Sequence, residues 1–153
     1  MMRKSAILSE DRVYRWMLER EWDANKPSIA YIMLNPSTAD ENEDDRTIKK
    51  LIKFTRAWGY GGLKVCNIYA YRATDPTELK SVTDPTGSEN EKHVRELVAS
   101  CDKIVFAWGN DASEPEWLKP LVPNPYCLKI NKTGKPAHPL YQPDTTILRE
   151  YPR

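Results

Sequence analysis

The chain has 153 residues, 40% of them hydrophobic and 29% charged, with a formal net charge of +1. That size fits one domain, 1–153, around a single core. No apolar run reaches membrane-spanning length, and Met1 to Ala6 has no apolar stretch behind its basic residues to make a secretory leader. The near-neutral charge lacks the basic surplus usual in proteins that grip nucleic acid. A cytoplasmic protein away from membranes is expected. Cys66, Cys101 and Cys127 are far apart in apolar settings, which suits reduced core thiols rather than a zinc or iron–sulfur site.

Along the chain, Ser9 to Trp22 alternates Val13, Arg15 and Met17 with Tyr14, Trp16 and Leu18, as an antiparallel strand would. A short helix fits the same residues, and periodicity does not choose between them. After the turn Ala24-Asn25-Lys26-Pro27, the run Ser28 to Leu34 is apolar on both faces, the pattern of a buried parallel strand. Asn35-Pro36 stops it, since proline adds no donor to the ladder and holds its neighbour extended. An acidic loop, Asp40 to Asp45, precedes a helix from Thr47, with Asp44 or Asp45 as cap and Ile48, Leu51, Ile52, Thr55 and Trp58 as its inward stripe. Glycines from Gly59 end it.

Leu63 to Tyr71 is the second strand, and Leu79 to Gly87 is expected to be irregular. Ser88 and Glu91 have capping-box spacing before a helix with Val94, Leu97, Val98 and Cys101 inward. Lys103 to Trp108 is the third buried strand. A short helix is expected from Ser113 to about Leu121, a fourth strand over Tyr126 to Ile130, then the polar loop containing His138 and a surface tail from Gln142. Alternating strands and helices predict a three-layer α/β/α sandwich with a mainly parallel central sheet and an antiparallel N-terminal edge. Loops leaving the carboxyl ends of parallel strands are where such sheets bind ligands. One sheet edge should therefore gather Asn35-Pro36-Ser37-Thr38, the segment from Asn67 to Arg72, Trp108 with its following Gly109, and His138.

Taken in order, these segments resemble the uracil-DNA glycosylase superfamily. Met33-Leu34-Asn35-Pro36-Ser37 is similar to the GINPG motif of its mismatch-specific branch. Val65-Cys66-Asn67 matches the LLN strand end whose asparagine reads the base. Val105-Phe106-Ala107-Trp108-Gly109 matches VFLLWG, and His138-Pro139-Leu140-Tyr141 stands for HPSPLS. The chain also resembles a family of uncharacterised bacterial and phage proteins that share NPSTAD, N-x-Y-x-Y-R-A-T-x-P and HPLY.

The first resemblance implies a uracil-DNA glycosylase-like fold and hydrolysis of an N-glycosidic bond, with no cofactor. Asn35 would position a water beneath the sugar, and His138 would stabilise the departing base. Asn67, with one donor and one acceptor on its amide, would match a base edge. Tyr69, Tyr71 or Trp108 would stack on the ring. Pro36, Ser37, Thr38 and Arg72 complete the expected binding set. A base in DNA would be flipped out or single-stranded.

This sequence departs from the pattern in three ways. The uracil-specific branch has an aspartate where Asn35 stands, and an amide removes no proton. The serines of HPSPLS are missing. Five carboxylates lie between Asp40 and Asp45, where they would repel a phosphate backbone.

Each residue also has a plainer reading. Asn35 can serve as a turn cap and His138 as a solvated loop residue. The acidic run can be a wet loop and helix cap, with magnesium at Asp40 or Asp45 the lesser reading, so no metal site is expected. Lys49, Lys50, Lys53 and Arg56 can be the wet face of a helix. The expected function is nucleobase recognition, as a glycosylase acting on a modified or mismatched base. The alternatives are a non-catalytic nucleobase- or nucleotide-binding module and a hydrolase of free nucleosides or nucleotides. The partner is accordingly DNA or a small molecule that contains a base.

Overall fold

The computed structural model describes residues 2–153. Its seven strands are β1 (Arg3–Leu8), β2 (Arg15–Glu21), β3 (Ser28–Met33), β4 (Gly62–Asn67), β5 (Ile104–Phe106), β6 (Tyr126–Cys127) and β7 (Arg149–Glu150), and its α-helices are α1 (Arg46–Ala57) and α2 (Asn90–Ala99). They form one sheet in the order β1-β2-β4-β3-β5-β6-β7.

The sheet is mixed rather than mainly parallel. β4, β3, β5 and β6 pair in parallel, while β1–β2, β2–β4 and β6–β7 are antiparallel. The difference lies at the two ends. β1 and β2 are joined by a short loop, 9–14, too short for a parallel crossover, and the terminal segment returns along β6 as β7. Both end strands escape a search for apolar runs, since β1 is largely exposed and β7 wholly so.

The central strands explain the core. Along β3 the side chains alternate: Ile29, Tyr31 and Met33 pack with Leu51 and Phe54 of α1, while Ala30 and Ile32 pack with Val94 and Leu97 of α2. Both faces are thus covered, as the unbroken apolar run demands. Tyr31, fully buried, shares a hydrogen bond of 2.7 Å with the Thr55 hydroxyl, which itself donates to Leu51 O. Asp45 caps α1, its Oδ1 accepting from the Ile48 N–H at 2.9 Å. Gly59 follows the C-cap residue Trp58 at φ +86°, a conformation that glycine adopts without strain.

Four local expectations fail. The Ser88 capping box does not form: α2 is capped at Glu89 with no side-chain bond, and the buried Asn90 amide instead donates to the carbonyls of Asn67 and Ile68. Helix from Ser113 reduces to a 3₁₀ turn, Lys119–Leu121, in a segment broken by Pro115 and Pro120. The fourth strand stops at Cys127, and the irregular stretch begins with a 3₁₀ helix, Pro76–Ser81. No described helix is long and apolar enough to cross a membrane.

Candidate functional site

Strand order reverses at β3: the chain crosses first to β4 on one side and later to β5 on the other. A crevice opens outside the carboxyl ends of strands at such a reversal. Here it is a cleft of about 490 Å³, lined among others by Asn35, Pro36, Ser37, Asn67, Trp108 and His138. The four loops expected at one edge therefore meet in one hollow. Gly109 helps: at φ +82° it turns the chain after β5, and a Cβ there would sit 3.6 Å from that of His138.

The side chains are held with defined polarity. Asn35 Nδ2 donates to Ala73 O at 2.8 Å and to Pro36 O at 3.0 Å, which commits its donors to the backbone. Its Oδ1 has no partner among the described residues and is left as an acceptor. His138 Nδ1 accepts from the Leu140 N–H at 3.3 Å. Burial lowers the pKa of His138 from its ordinary 6.5, with Asp45 pulling the other way. A neutral ring with Nδ1 accepting carries its proton on Nε2, as a donor. Asn67, 1% exposed, accepts on Oδ1 from Arg15 Nη2 at 3.4 Å, while its Nδ2 is buried with no partner.

Four predicted residues lie outside the cleft. The strand expected to run to Tyr71 ends at Asn67, and neither Tyr69 nor Tyr71 lines the cleft. Tyr69 packs on the α2 side, and Tyr71 bridges to Tyr14. Arg72 donates to the carbonyls of Ser37, Arg12 and Thr38; it straps the loop after β3 from behind. Thr38 lies with Tyr71 and Arg72 along a separate hollow. Trp108 lines the cleft but is only 2% exposed, so it forms wall rather than an open stacking face.

Arg15, Asp45 and Tyr141 are among the cleft residues that the sequence patterns do not assign to the site. Arg15 looked like one member of an alternating strand, and only its isolation among apolar neighbours signalled burial. Asp45 was read as a cap, yet it also lines the cleft. Tyr141, 87% exposed, stands at the cleft and belongs to the HPLY segment.

The acidic loop is largely neutralised from within. Arg12 pairs with Asp40 and Glu41, and Lys4 and Arg20 both pair with Asp44. The N–H groups of Asn42 and Glu43, and then Arg12, hold the Asp40 carboxyl below its ordinary pKa. Among the described residues no group of three or more His, Cys, Asp or Glu side chains is placed to hold a metal ion. Two lysines of the wet face of α1 are likewise engaged: Lys50 and Lys53 both pair with Asp144.

No curated protein and no solved structure matches the chain. One family model does match, over residues 15–140, which takes in the four parallel strands and most of the cleft and leaves out β1 and β7. That span is most of the molecule, and the chain belongs to the family described as protein of unknown function (DUF1643).

Proposed function

We propose that the cleft is a nucleobase site of the uracil-DNA glycosylase type and that the chain hydrolyses an N-glycosidic bond. One observation carries this reading. Asn67, at the end of β4, and His138, in the loop after β6, line a single cleft, each with a hydrogen-bond donor unused by the described residues. Breaking the bond places negative charge on the base, and donors aimed at that charge lower the barrier. His138, neutral with its proton on Nε2, donates to the base oxygen without having to give up charge. Asn35, its donors spent on Ala73 and Pro36, offers Oδ1 to orient a water. Asp45 is the carboxylate that can accept that water's proton as its oxygen attacks the anomeric carbon, while the bonding pair leaves with the base.

Single-turnover release of free base from a panel of modified-base oligonucleotides and nucleosides tests the proposal. His138→Ala should slow release roughly 100-fold or more, the usual cost of one such donor. Asp45→Asn, which keeps a capping side chain, should slow it while leaving the fold intact. Full activity in both variants, or no base released from any substrate by the wild type, would remove the catalytic reading and leave a binding module.

The prior engagement of nearby cations favours a second form of the proposal, a free nucleoside or nucleotide in place of DNA. Lys50, Lys53 and Arg72 are already committed to Asp144 and to backbone carbonyls. A DNA ligand would show affinity falling steeply with salt, since released counterions drive such binding; a small ligand would not.

A further inference from the structure

Arg15 poses a problem that the catalytic reading leaves open. Its side chain is held in the interior, 3% exposed, and among the described residues no carboxylate lies within ion-pair distance of it. Nη1 donates to Ala39 O at 3.1 Å and Nη2 to Asn67 Oδ1 at a long 3.4 Å, while Nε has no partner. The charges around it do not compensate: burial first, with Arg72 and Arg20 repelling, outweighs the attraction of Asp45 and brings its pKa down to about 10. A buried guanidinium is costly unless it is paired and fully hydrogen-bonded.

The same cleft holds two more buried donors without acceptors, Asn67 Nδ2 and Trp108 Nε1. Unpartnered buried polar atoms are few in folded proteins. Three of them, all donors and all on residues lining one cleft, match a missing acceptor that carries negative charge.

We infer that the cleft is completed by an anionic oxygen group of the ligand, bound by Arg15, Asn67 and Trp108. The chemistry is shared by two sources, the deprotonated oxygen of an acidic oxo-base and a phosphate group. The inference rests on the nucleobase reading only in its choice of cleft, because inorganic phosphate tests the subsite with no base present.

The experiment is titration of the full chain with inorganic phosphate, with xanthine at a pH where that base is an anion, and with neutral uracil. Binding is read from the Trp108 indole N–H and Arg15 Nε–H resonances and by calorimetry. At least one anion should shift both resonances and bind at least tenfold more tightly than uracil. Arg15→Gln should weaken that binding about 10- to 100-fold, the range for a hydrogen bond to a charged group. Trp108→Phe, which keeps the ring and the charge, should weaken it about threefold to tenfold; it serves as the test if Arg15→Gln fails to fold. Phosphate binding without xanthine binding would keep the subsite and remove Asn67 from base recognition. No binding of either anion, or binding that Trp108→Phe and a folded Arg15→Gln leave unchanged, overturns the inference.

Discussion

β2 carries two buried arginines five residues apart in the chain, and the protein treats them differently. Arg20, fully buried, donates Nε to Asp44 Oδ1 at 2.7 Å, Nη1 to the carbonyls of Ser5 and Glu19, and Nη2 to those of Asp40 and Glu43. Arg15, nearly as deep, has one good acceptor, one distant one and no ion pair. Burial alone therefore does not identify a structural residue; satisfaction does. Arg20 organises the acidic loop from inside, whereas Arg15 keeps binding capacity in reserve at the cleft.

The sharpest way to break the comparison is to remove each guanidinium. Arg20→Met removes the buried partner of Asp44, leaving only Lys4 on that carboxylate, and takes a donor from each of four carbonyls; it should destabilise the fold by about 3 kcal/mol in urea unfolding, the low end for breaking a buried pair. A loss under 1 kcal/mol would show that the loop does not depend on it. Next in size, Asp45→Ala removes the α1 cap and should cost about 1 kcal/mol. Asp45→Asn should restore most of that, which separates the cap from the carboxylate.

A third effect follows from His138. Its folded pKa lies below the ordinary 6.5 because burial disfavours the charged ring. The unfolded chain therefore binds the proton more readily than the folded one. The stability held by the neutral ring is complete above pH 6.5 and declines as pH falls from there through the folded value. His138→Gln should flatten that part of the stability–pH curve, and an unchanged curve would refute the assignment. The smallest effect belongs to Arg15→Met, which exchanges an incompletely paired charge for an apolar chain. Stability should change by less than about 1 kcal/mol or rise. A loss as large as that of Arg20→Met would place both arginines in the same structural class.

The sequence was most legible where both faces of an element are buried. Ser28 to Leu34 announces its strand because each residue must be apolar, and the stop at Asn35-Pro36 follows from backbone chemistry. Asp45 was legible as a cap for the same local reason. Long-range partnerships were not. Nothing in the alternation of Val13 to Leu18 says that Arg20 would find Asp44 while Arg15 would find no carboxylate. Ser88 and Glu91 have the spacing of a capping box, yet the Asn90 amide bonds to the sheet, and α2 starts with Glu89 as its cap. The stacking expected of Tyr69 and Tyr71 fails because the strand ends at Asn67 rather than Tyr71, and the side-chain period of two holds only while the ladder lasts.

The two antiparallel strands that finish the sheet bear on how copies of the chain meet one another. An uncovered strand offers a row of free N–H and C=O groups on which another molecule can extend the ladder. β6, only two residues long but apolar at Cys127, would be such an edge had β7 not returned to pair with it. β7 in turn offers just Arg149 and Glu150, both exposed and charged. At the far end β1 begins with Arg3 and Lys4, and Arg3 pairs with Glu19 and Glu21 of its neighbour. The β7 border is thus too short and too charged to template a foreign strand, while β1 is guarded by charge over its first two residues. The apolar parallel centre is kept from joining its copies edge to edge.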